Sequence, residues 1–207
     1  MRDFLKKNSL FLLIVVLAAA LRFMIIGKVP PALNWDEISH GYNAYSILKT
    51  GKDEWGKTLP TIFRAYGDYK LPVYIYLTAV SESIFGLNIF SVRLPSILAG
   101  VVTVVFTYLL AKKLFNKKVA LLSSFLVAIE PWSFFLSRGA FEANLALSFI
   151  VSGIYLFILG LEKHKYLPVS ALLLGLSVWT YNSARIFVPI FLIVLVVLYW
   201  RELTKIW

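Results

Sequence analysis

Long apolar blocks constrain this chain more than any other feature of its sequence. Most of the blocks are about 17–25 residues long, the length at which an α-helix crosses a bilayer, and the last two are slightly shorter. The runs of Leu, Ile, Val and Phe do not alternate with polar residues, so they predict helices rather than a β-barrel. The candidate spans are 8–26, 93–111, 119–137, 145–161, 166–180 and 186–200. We therefore predict an all-α fold, a polytopic transmembrane helical bundle with about six spans.

Composition excludes a water-soluble fold and several kinds of chemistry. Only 15% of the residues are charged and 59% are hydrophobic, whereas soluble domains carry about 25% charge. The chain has no cysteine, which excludes disulfides, zinc–thiolate sites and a cysteine nucleophile. The net charge of +10 does not indicate nucleic acid, because the basic residues form short clusters between apolar blocks. Clusters in that position set membrane topology and contact anionic lipids.

The basic clusters predict the orientation of the chain in the cell membrane. They are Arg2 with Lys6-Lys7, Lys112-Lys113 with Lys117-Lys118, Lys163-His164-Lys165, and Arg201 with Lys205. The positive-inside rule puts all four in the cytoplasm, with a cytoplasmic N-terminus. The segments 27–92, 138–144 and 181–185 then lie outside. Arg22 interrupts the first apolar block where a signal peptide would need small residues, so we interpret that block as a retained helix.

The first outer loop, 27–92, is predicted to carry interfacial helices within a single 1–207 module. Asn34 and Glu37 form a capping-box pattern and Gly51 a C-cap, which predicts a helix between them. Asp36 and His40 are four residues apart and share one face of it. The apolar stretch 71–86 is short for a span and favours an interfacial or re-entrant helix.

Polar residues that composition does not explain gather on the predicted outer segments. Ionisable residues near membrane depth are functional candidates. The set comprises Asp36, Glu37, His40, Asp68, Tyr69, Lys70, Arg138, Glu142, Asn144, Tyr181, Asn182 and Arg185. These residues also have structural explanations that need no catalytic or binding role. Asp36 and Glu37 suit a helix N-terminus, Lys70 and Arg93 suit snorkelling anchors, Arg138 and Glu142 suit an i,i+4 pair, and Tyr181 and Trp179 suit an aromatic belt.

The order of motifs along the chain resembles the N-terminal half of GT-C superfamily membrane glycosyltransferases. The most similar group is that of the protein O-mannosyltransferases and the lipid A aminoarabinose transferase. The matching features are Leu21-Arg22, Trp35-Asp36-Glu37, Tyr69-Lys70-Leu71-Pro72, Val92-Arg93-Leu94-Pro95-Ser96, Ala111-Lys112-Lys113-Leu114-Phe115, and Pro131-Trp132 leading to Ser137-Arg138-Gly139-Ala140-Phe141-Glu142-Ala143-Asn144. The resemblance covers nearly the whole chain.

This resemblance implies an inverting glycosyltransferase that uses a sugar linked to a polyprenyl phosphate. Asp36 would be the general base on the acceptor hydroxyl, and Glu37 would orient the base or the acceptor. Lys70 matches the lysine that contacts the lipid phosphate, although the motif here is Lys-Leu-Pro rather than Lys-Pro-Pro. Arg138 and Arg185 would share the phosphate charge. The remaining substrate-binding candidates are His40, Tyr69, Glu142, Asn144 and Tyr181.

The resemblance leaves the cofactor and the partners open. Metal dependence varies in the superfamily, so a divalent cation stays open, and the sequence contains no dedicated metal cage. The acceptor is a protein, a lipid or a glycan, and we expect contacts with membrane lipids but not with nucleic acid. Relatives are about twice as long, so we expect an N-terminal portion of a longer architecture or a second chain that completes the fold.

Two other classes of function compete with the enzyme. One is a non-catalytic protein that binds or transports a polyprenyl phosphate, and the other is an inactive partner subunit. Transporters typically have internal repeats and helices broken near the bilayer midplane. The sequence shows neither, which favours the transferase. An Asp36→Asn variant separates the classes. If Asp36 is a catalytic base, the variant should lose sugar transfer but still bind the lipid.

Overall fold

The computed structural model describes residues 2–204, and the side chains of residues 8–204. Residue 1 and residues 205–207, including the basic position Lys205, lie outside the described part. The described helices are α1 (Arg2–Phe23), α2 (Trp35–Thr50), α3 (Pro72–Phe85), α4 (Ile89–Leu114), α5 (Lys117–Ile129), α6 (Pro131–Arg138), α7 (Glu142–Gly160), α8 (Leu167–Val178), α9 (Ala184–Leu198) and α10 (Trp200–Leu203). A 3₁₀ turn spans His164–Tyr166. Strands β1 (Phe63–Arg64) and β2 (Tyr69–Lys70) form an antiparallel hairpin.

The long helix α4 lies at the centre of the bundle. It packs against α1, α3, α5, α6 and α7, while α8 packs on α7 and α9 on α8. The interior combines apolar side chains with small residues such as Ala18, Ala99 and Ala128, which are at most 4% exposed. Small residues let membrane helices approach closely. The predicted all-α class is confirmed.

The helices support a membrane protein, with fewer clear spans than predicted. Helices α4 and α7 are long and apolar enough to cross a bilayer, and α5 with α6 becomes a third candidate if the bent pair is one span. Asn8–Phe23 of α1 and Ala184–Leu198 are apolar but shorter. The figure of six spans therefore stays a prediction.

The predicted uninterrupted span 119–137 is broken in the structure. Helices α5 and α6 meet at an angle of 54°. Pro131 cannot donate a backbone hydrogen bond to the preceding turn, and the Glu130 carboxylate caps the new helix by accepting from the amides of Trp132 at 2.9 Å and Ser133 at 2.7 Å. The sequence showed no helix broken near the bilayer midplane, whereas in the structure the proline and the cap together start a second helix within this predicted span.

The predicted helix in the first loop is confirmed with both of its ends. Asn34 Oδ1 accepts from the Glu37 amide, and Glu37 Oε2 accepts from the Asn34 amide, each at 2.9 Å. Gly51 ends the helix in the left-handed region at φ 69°, where glycine carries no Cβ penalty. The predicted helix at 71–86 is also present as α3. Its position at the membrane surface remains a prediction.

Arg22 joins three helices near the end of α1. It is fully buried and donates to the carbonyl oxygens of Val127 and Ala128 in α5 at 3.2 and 3.0 Å. It also donates to the hydroxyls of Ser133 and Ser137 in α6 at 3.0 and 3.1 Å. A Cβ at Gly100 of α4 would overlap both Ser137 Oγ and Arg22 Nε. Glycine is therefore required where α4 passes this junction.

The two ends of the bundle differ in chemistry. Lys113 Nζ lies 2.5 Å from Glu162 Oε1, so the predicted basic segments at 112–118 and 163–165 come together at one end. Helices α4 and α7 begin at the opposite end with Ile89 and Glu142. The unexplained polar residues lie there. Which end faces the outside of the cell stays a prediction.

Candidate active site

Three chain segments meet around one polar cavity of about 580 Å³. The start of α2 supplies Asp36 and His40, the β-hairpin supplies Asp68 and Lys70, and the start of α7 supplies Glu142. The other lining residues are Tyr69, Trp132, Leu136, Ala140, Phe141, Ala143, Tyr181, Asn182 and Ser183. Eight of the predicted polar candidates thus face a common space, although they are far apart in sequence: Asp36, His40, Asp68, Tyr69, Lys70, Glu142, Tyr181 and Asn182.

Lys70 is the cation of this cavity. Its ammonium lies 2.8 Å from Asp36 Oδ1 and 3.2 Å from Asp68 Oδ2, and its side chain is 9% exposed. Burial alone would lower the pKa of Lys70, but the hydrogen bond to Asp36 and the negative charges of Glu142, Asp36 and Asp68 raise it overall. The Tyr69 amide and then Lys70 lower the pKa of Asp68. Lys70 is therefore positively charged throughout the physiological pH range.

His40 and Glu142 form the second polar pair. His40 Nε2 lies 3.1 Å from Glu142 Oε1, and the imidazole packs on the Tyr74 ring with centroids 4.9 Å apart. His40 is fully buried, and its Nδ1 has no hydrogen-bond partner among the described residues. The pair ties α2 to α7 across the cavity. Arg138 and Glu142 do not pair with each other, contrary to the simple i,i+4 interpretation.

Glu37 faces away from the cavity that its neighbour Asp36 lines. Its carboxylate accepts from Arg93 Nε at 2.7 Å and Arg93 Nη2 at 3.2 Å, and from the Ala140 amide at 2.9 Å. Arg93 is fully buried and also donates to the carbonyls of Pro30 and Ala32. The side chain of Arg93 is thus not a snorkelling anchor. Glu37 holds α2, α4 and the loop before α7 together.

Three other candidates lie beside the cavity rather than in its wall. Arg138 donates to the carbonyls of Val29 at 2.7 Å and Leu21 at 3.0 Å and is 4% exposed. Asn144 donates to the Ser96 carbonyl at 2.7 Å. Arg185 lines a neighbouring cavity of about 480 Å³, which shares Asp68, Tyr69 and Asn182 with the first. Of the predicted cations, Lys70 alone lines the polar cavity among the described residues.

An apolar groove opens directly from the polar cavity. It lies between α4, α5, α6, α7 and α9, has a volume of about 580 Å³, and extends as far as Thr103, Ile150 and Val151. The two spaces share Trp132, Leu136, Ala143, Tyr181 and Ser183. The bend between α5 and α6 brings Trp132 and Leu136 to this junction. The combined space suits a molecule with a polar head and an apolar tail.

Sequence reasoning missed the apolar wall of the site and the partner of Arg93. Trp132, Leu136 and Phe141 line the cavity, but an aromatic or aliphatic residue in an apolar block carries no signal of its own. The Pro131-Trp132 dipeptide after Glu130 was the available signal for the break. Among the described side chains, those of residues 8–204, no three His, Asp or Glu residues come together as a metal site.

Comparison with known proteins identifies the family. Residues 69–207 match the profile of the dolichyl-phosphate-mannose-protein mannosyltransferase family. The chain belongs to this family. The mannosyltransferase family match covers β2, which carries Lys70, and all helices from α3 onward, and it confirms the resemblance to GT-C superfamily glycosyltransferases.

Relatives and solved structures agree with the family. A protein of Bacillus subtilis (strain 168) provisionally named as a mannosyltransferase, YkcB, is 34% identical over 96 residues, which are 46% of this chain and 13% of YkcB. The apo structure of ArnT from Cupriavidus metallidurans has a TM-score of 0.72 at 15% identity, covering 99% of this chain and 39% of ArnT. The oligosaccharyltransferase AglB from Archaeoglobus fulgidus, in complex with an inhibitory peptide and a dolichol-phosphate, has a TM-score of 0.68 at 21% identity.

The chain spans only part of each of these proteins. The match to AglB covers 91% of this chain but 25% of AglB, and the matches to YkcB and ArnT cover 13% and 39% of those proteins. At these identities the two solved structures establish the helical fold that the chain shares with them. The family match establishes that the chain belongs to a glycosyltransferase family and that it is a membrane protein.

Proposed function

We propose that this chain carries the catalytic site of a glycosyltransferase that moves a sugar from a polyprenyl-phosphate-linked donor to a hydroxyl acceptor. The observation that carries the proposal is the Asp36–Lys70 pair, 2.8 Å apart, in a cavity that opens into an apolar groove. A carboxylate and a cation of this kind match the two demands of the reaction, a base for the acceptor and a positive charge for the leaving phosphate.

Asp36 is the base in this proposal. It lines the cavity and its side chain is 51% exposed, so an acceptor hydroxyl can come within hydrogen-bond distance of it. The acceptor oxygen attacks the anomeric carbon as Asp36 takes the proton, and the bond to the phosphate oxygen breaks on the opposite side. The configuration at the anomeric carbon inverts. Glu37 orients Asp36 through its ion pair with Arg93 rather than by contact with substrate.

Lys70 is the proposed phosphate ligand. A departing phosphate gains negative charge, and a fixed cation in a partly desolvated site stabilises that charge more than water does. The raised pKa of Lys70 keeps the ammonium protonated for this role. Arg185, at the neighbouring cavity, and Arg138, behind the wall, contribute to the potential at longer range. The bound dolichol-phosphate of AglB supports a lipid phosphate as the ligand.

The apolar groove is the proposed site of the first prenyl units of the donor. Its shared wall at Trp132, Leu136 and Tyr181 lies next to the polar cavity, so a phosphate at Lys70 and a tail in the groove are compatible. The remaining candidates, His40, Tyr69, Glu142 and Tyr181, surround the space for the sugar and the acceptor. Asn144 orders the α4–α7 contact below it.

We further propose that transfer occurs at the extracytoplasmic face. The support is the positive-inside pattern together with the pairing of the basic segments at the end remote from the cavity. The mannosyltransferase family description and the inhibitory peptide of AglB favour mannose as the first donor sugar and a peptide as the first acceptor to examine.

The proposal is tested by transfer of radiolabelled sugar from a panel of polyprenyl-phosphate sugars. Membranes contain equal amounts of wild-type chain, Asp36→Asn, Lys70→Gln, or Glu162→Gln as the control. Glu162 is a carboxylate at the opposite end of the bundle, paired with Lys113. We expect transfer by the wild type and the control, and none by Asp36→Asn.

The other outcomes identify the rival functions. Equal transfer by wild type and Asp36→Asn would mean that Asp36 is not the base. Lipid-phosphate binding without transfer from any donor would support a non-catalytic binding protein. Co-purification with a larger chain that itself performs the transfer, with tolerance of Asp36→Asn, would support a partner subunit.

A further inference from the structure

Lys70 contacts the proposed base and a second carboxylate at the same time. Its ammonium has three N–H donors. One is directed to Asp36 Oδ1 at 2.8 Å and one to Asp68 Oδ2 at 3.2 Å. A phosphate at Lys70 therefore enters a site in which the cation already has two anionic partners.

We infer that Lys70 changes partner during the reaction, being bound to Asp36 in the empty site and to the donor phosphate during transfer, while Asp68 is a positioning residue that holds the ammonium throughout. The inference rests on the proposed function, because it takes the lipid phosphate as the ligand. It adds that base and leaving group share one cation, and it gives Asp68 a role.

The charge changes of the reaction fit a shared cation. Before transfer, Asp36 and the donor phosphodiester carry one negative charge each. The new bond joins the acceptor oxygen to the anomeric carbon, and the broken bond leaves its electron pair on the phosphate oxygen. The acceptor proton moves to Asp36. Negative charge thus disappears at Asp36 and appears on the leaving phosphate, so a lysine that exchanges Asp36 for the phosphate stabilises the charge where it develops.

The three side chains differ in exposure in a way that suits these roles. Lys70 is 9% exposed, whereas Asp36 is 51% and Asp68 62% exposed. The buried cation has a restricted range of positions, and its carboxylate partners are the more exposed members of the cluster. Asp68 sits two residues from Lys70 on the same hairpin, where its carboxylate moves with the lysine. Asp36 lies on α2, a separate element, and contacts Lys70 only through this pair.

The partner exchange predicts a specific binding signature. Because Asp36 competes with phosphate for Lys70, Asp36→Asn should bind undecaprenyl phosphate about fivefold more tightly than the wild type, the size expected for a half-exposed ion pair. Asp68→Asn should gain at most about twofold, because Asp68 stays bound to the ammonium and is not displaced by the phosphate. Binding is measured with purified full-length chain in detergent micelles, using undecaprenyl phosphate as the probe.

Two controls separate this exchange from a general loss of negative charge. Glu142→Gln removes a carboxylate of the same cavity that is paired with His40 rather than Lys70, so its gain should be smaller than that of Asp36→Asn. In a Lys70→Gln background, the gain from Asp36→Asn should vanish. In a Lys70→Arg background, which keeps the cation, the gain should persist. Circular dichroism and size-exclusion elution confirm that each variant is folded.

The outcomes discriminate between the inference and the proposed function. An equal gain from Asp36→Asn with and without Lys70 would overturn the partner exchange. Unchanged binding in Lys70→Gln would instead overturn the assignment of the phosphate to Lys70, which belongs to the proposed function. Where transfer is measurable, Asp68→Asn should lower kcat several-fold without raising the donor KM, and Asp68→Glu should restore it. A rise in donor KM alone would contradict the positioning role.

Discussion

The Arg93 guanidinium binds the Glu37 carboxylate at two points, with distances of 2.7 and 3.2 Å, directly behind the residue proposed as the base. Both side chains are at most 2% exposed. Glu37 also accepts from the amides of Asn34 and Ala140. One carboxylate therefore fixes the start of α2, the start of α4 and the loop before α7, which are the elements that surround the cavity.

Replacing one partner of this pair should destabilise the fold strongly. Glu37→Gln leaves the buried Arg93 charge without its counterion, and the expected loss in free energy of unfolding is about 3–5 kcal/mol. Glu162→Gln, which breaks the exposed pair with Lys113, should cost about 0–1 kcal/mol. Thermal unfolding in detergent measures both. Equal effects of the two variants would contradict the structural role of Glu37.

The close approach of α4 at Gly100 makes a second prediction. Gly100→Ala places a methyl group against Ser137 and Arg22 and should destabilise the protein by about 1–3 kcal/mol through overpacking. Gly175→Ala in α8 is the matched control, because a Cβ there meets nothing within 4 Å. It should be neutral or stabilising by up to about 1 kcal/mol, the difference in helix propensity. The denaturation midpoint of Gly100→Ala should fall, and that of Gly175→Ala should stay unchanged or rise.

Glu82 predicts a dependence of stability on pH. Burial raises the pKa of its carboxyl from 4.5 to about 7, and neither carboxylate oxygen has a hydrogen-bond partner among the described residues. Because the folded-state pKa is the higher one, the protonated form is favoured in the fold. The contribution of protonated Glu82 to the free energy of unfolding is complete below about pH 4.5 and is lost as the pH rises through about 7.

The measurement compares wild type with Glu82→Gln across that pH window. The wild type should lose roughly 2 kcal/mol relative to the variant between about pH 5 and pH 8.5. The amide of the variant does not titrate, so other ionisable groups cancel in the difference. A constant difference in stability across the window would show that Glu82 titrates normally.

The apolar groove predicts a length-dependent effect on lipid binding. Leu147 lines the groove and is 43% exposed, so Leu147→Trp should fill space without disturbing the core. The variant should bind undecaprenyl phosphate about tenfold more weakly and a short-chain prenyl phosphate unchanged. Leu172→Trp, on the exposed face of α8, is the control. Equal loss for both lipids would place the tail outside the groove.

Much of the fold was predictable because local signals agreed with it. The helix from Trp35 to Thr50 followed from its capping box and its C-terminal glycine. The lengths of the apolar blocks predicted the helical bundle. The family followed from an ordered set of short motifs. The polar cavity also followed in part, since Asp36, Lys70, His40 and Glu142 were selected for their unexplained charge and do lie together.

The rest depended on contacts between distant segments. Arg93 has the sequence context of an interfacial anchor, and only the fold brings it to Glu37, 56 residues away. The pairing of His40 with Glu142 across 102 residues is equally invisible in one sequence. The break after Glu130 was missed because the span 119–137 was predicted from its average hydropathy, and a single proline hardly changes that average. Span number is uncertain from sequence for the same reason, because apolar length does not say where a helix bends.

The contacts of Arg22 have a consequence for how the protein is assembled in the membrane. All of its partners outside α1 lie between Val127 and Ser137, more than 100 residues later in the chain. When α1 is synthesised, the guanidinium has no protein acceptor within reach except its own helix, and it must extend to the lipid headgroups. It turns inward only after α5 and α6 have emerged. We therefore expect biogenesis to include a late step in which α1 docks onto the bent α5–α6 pair, which is made long after it.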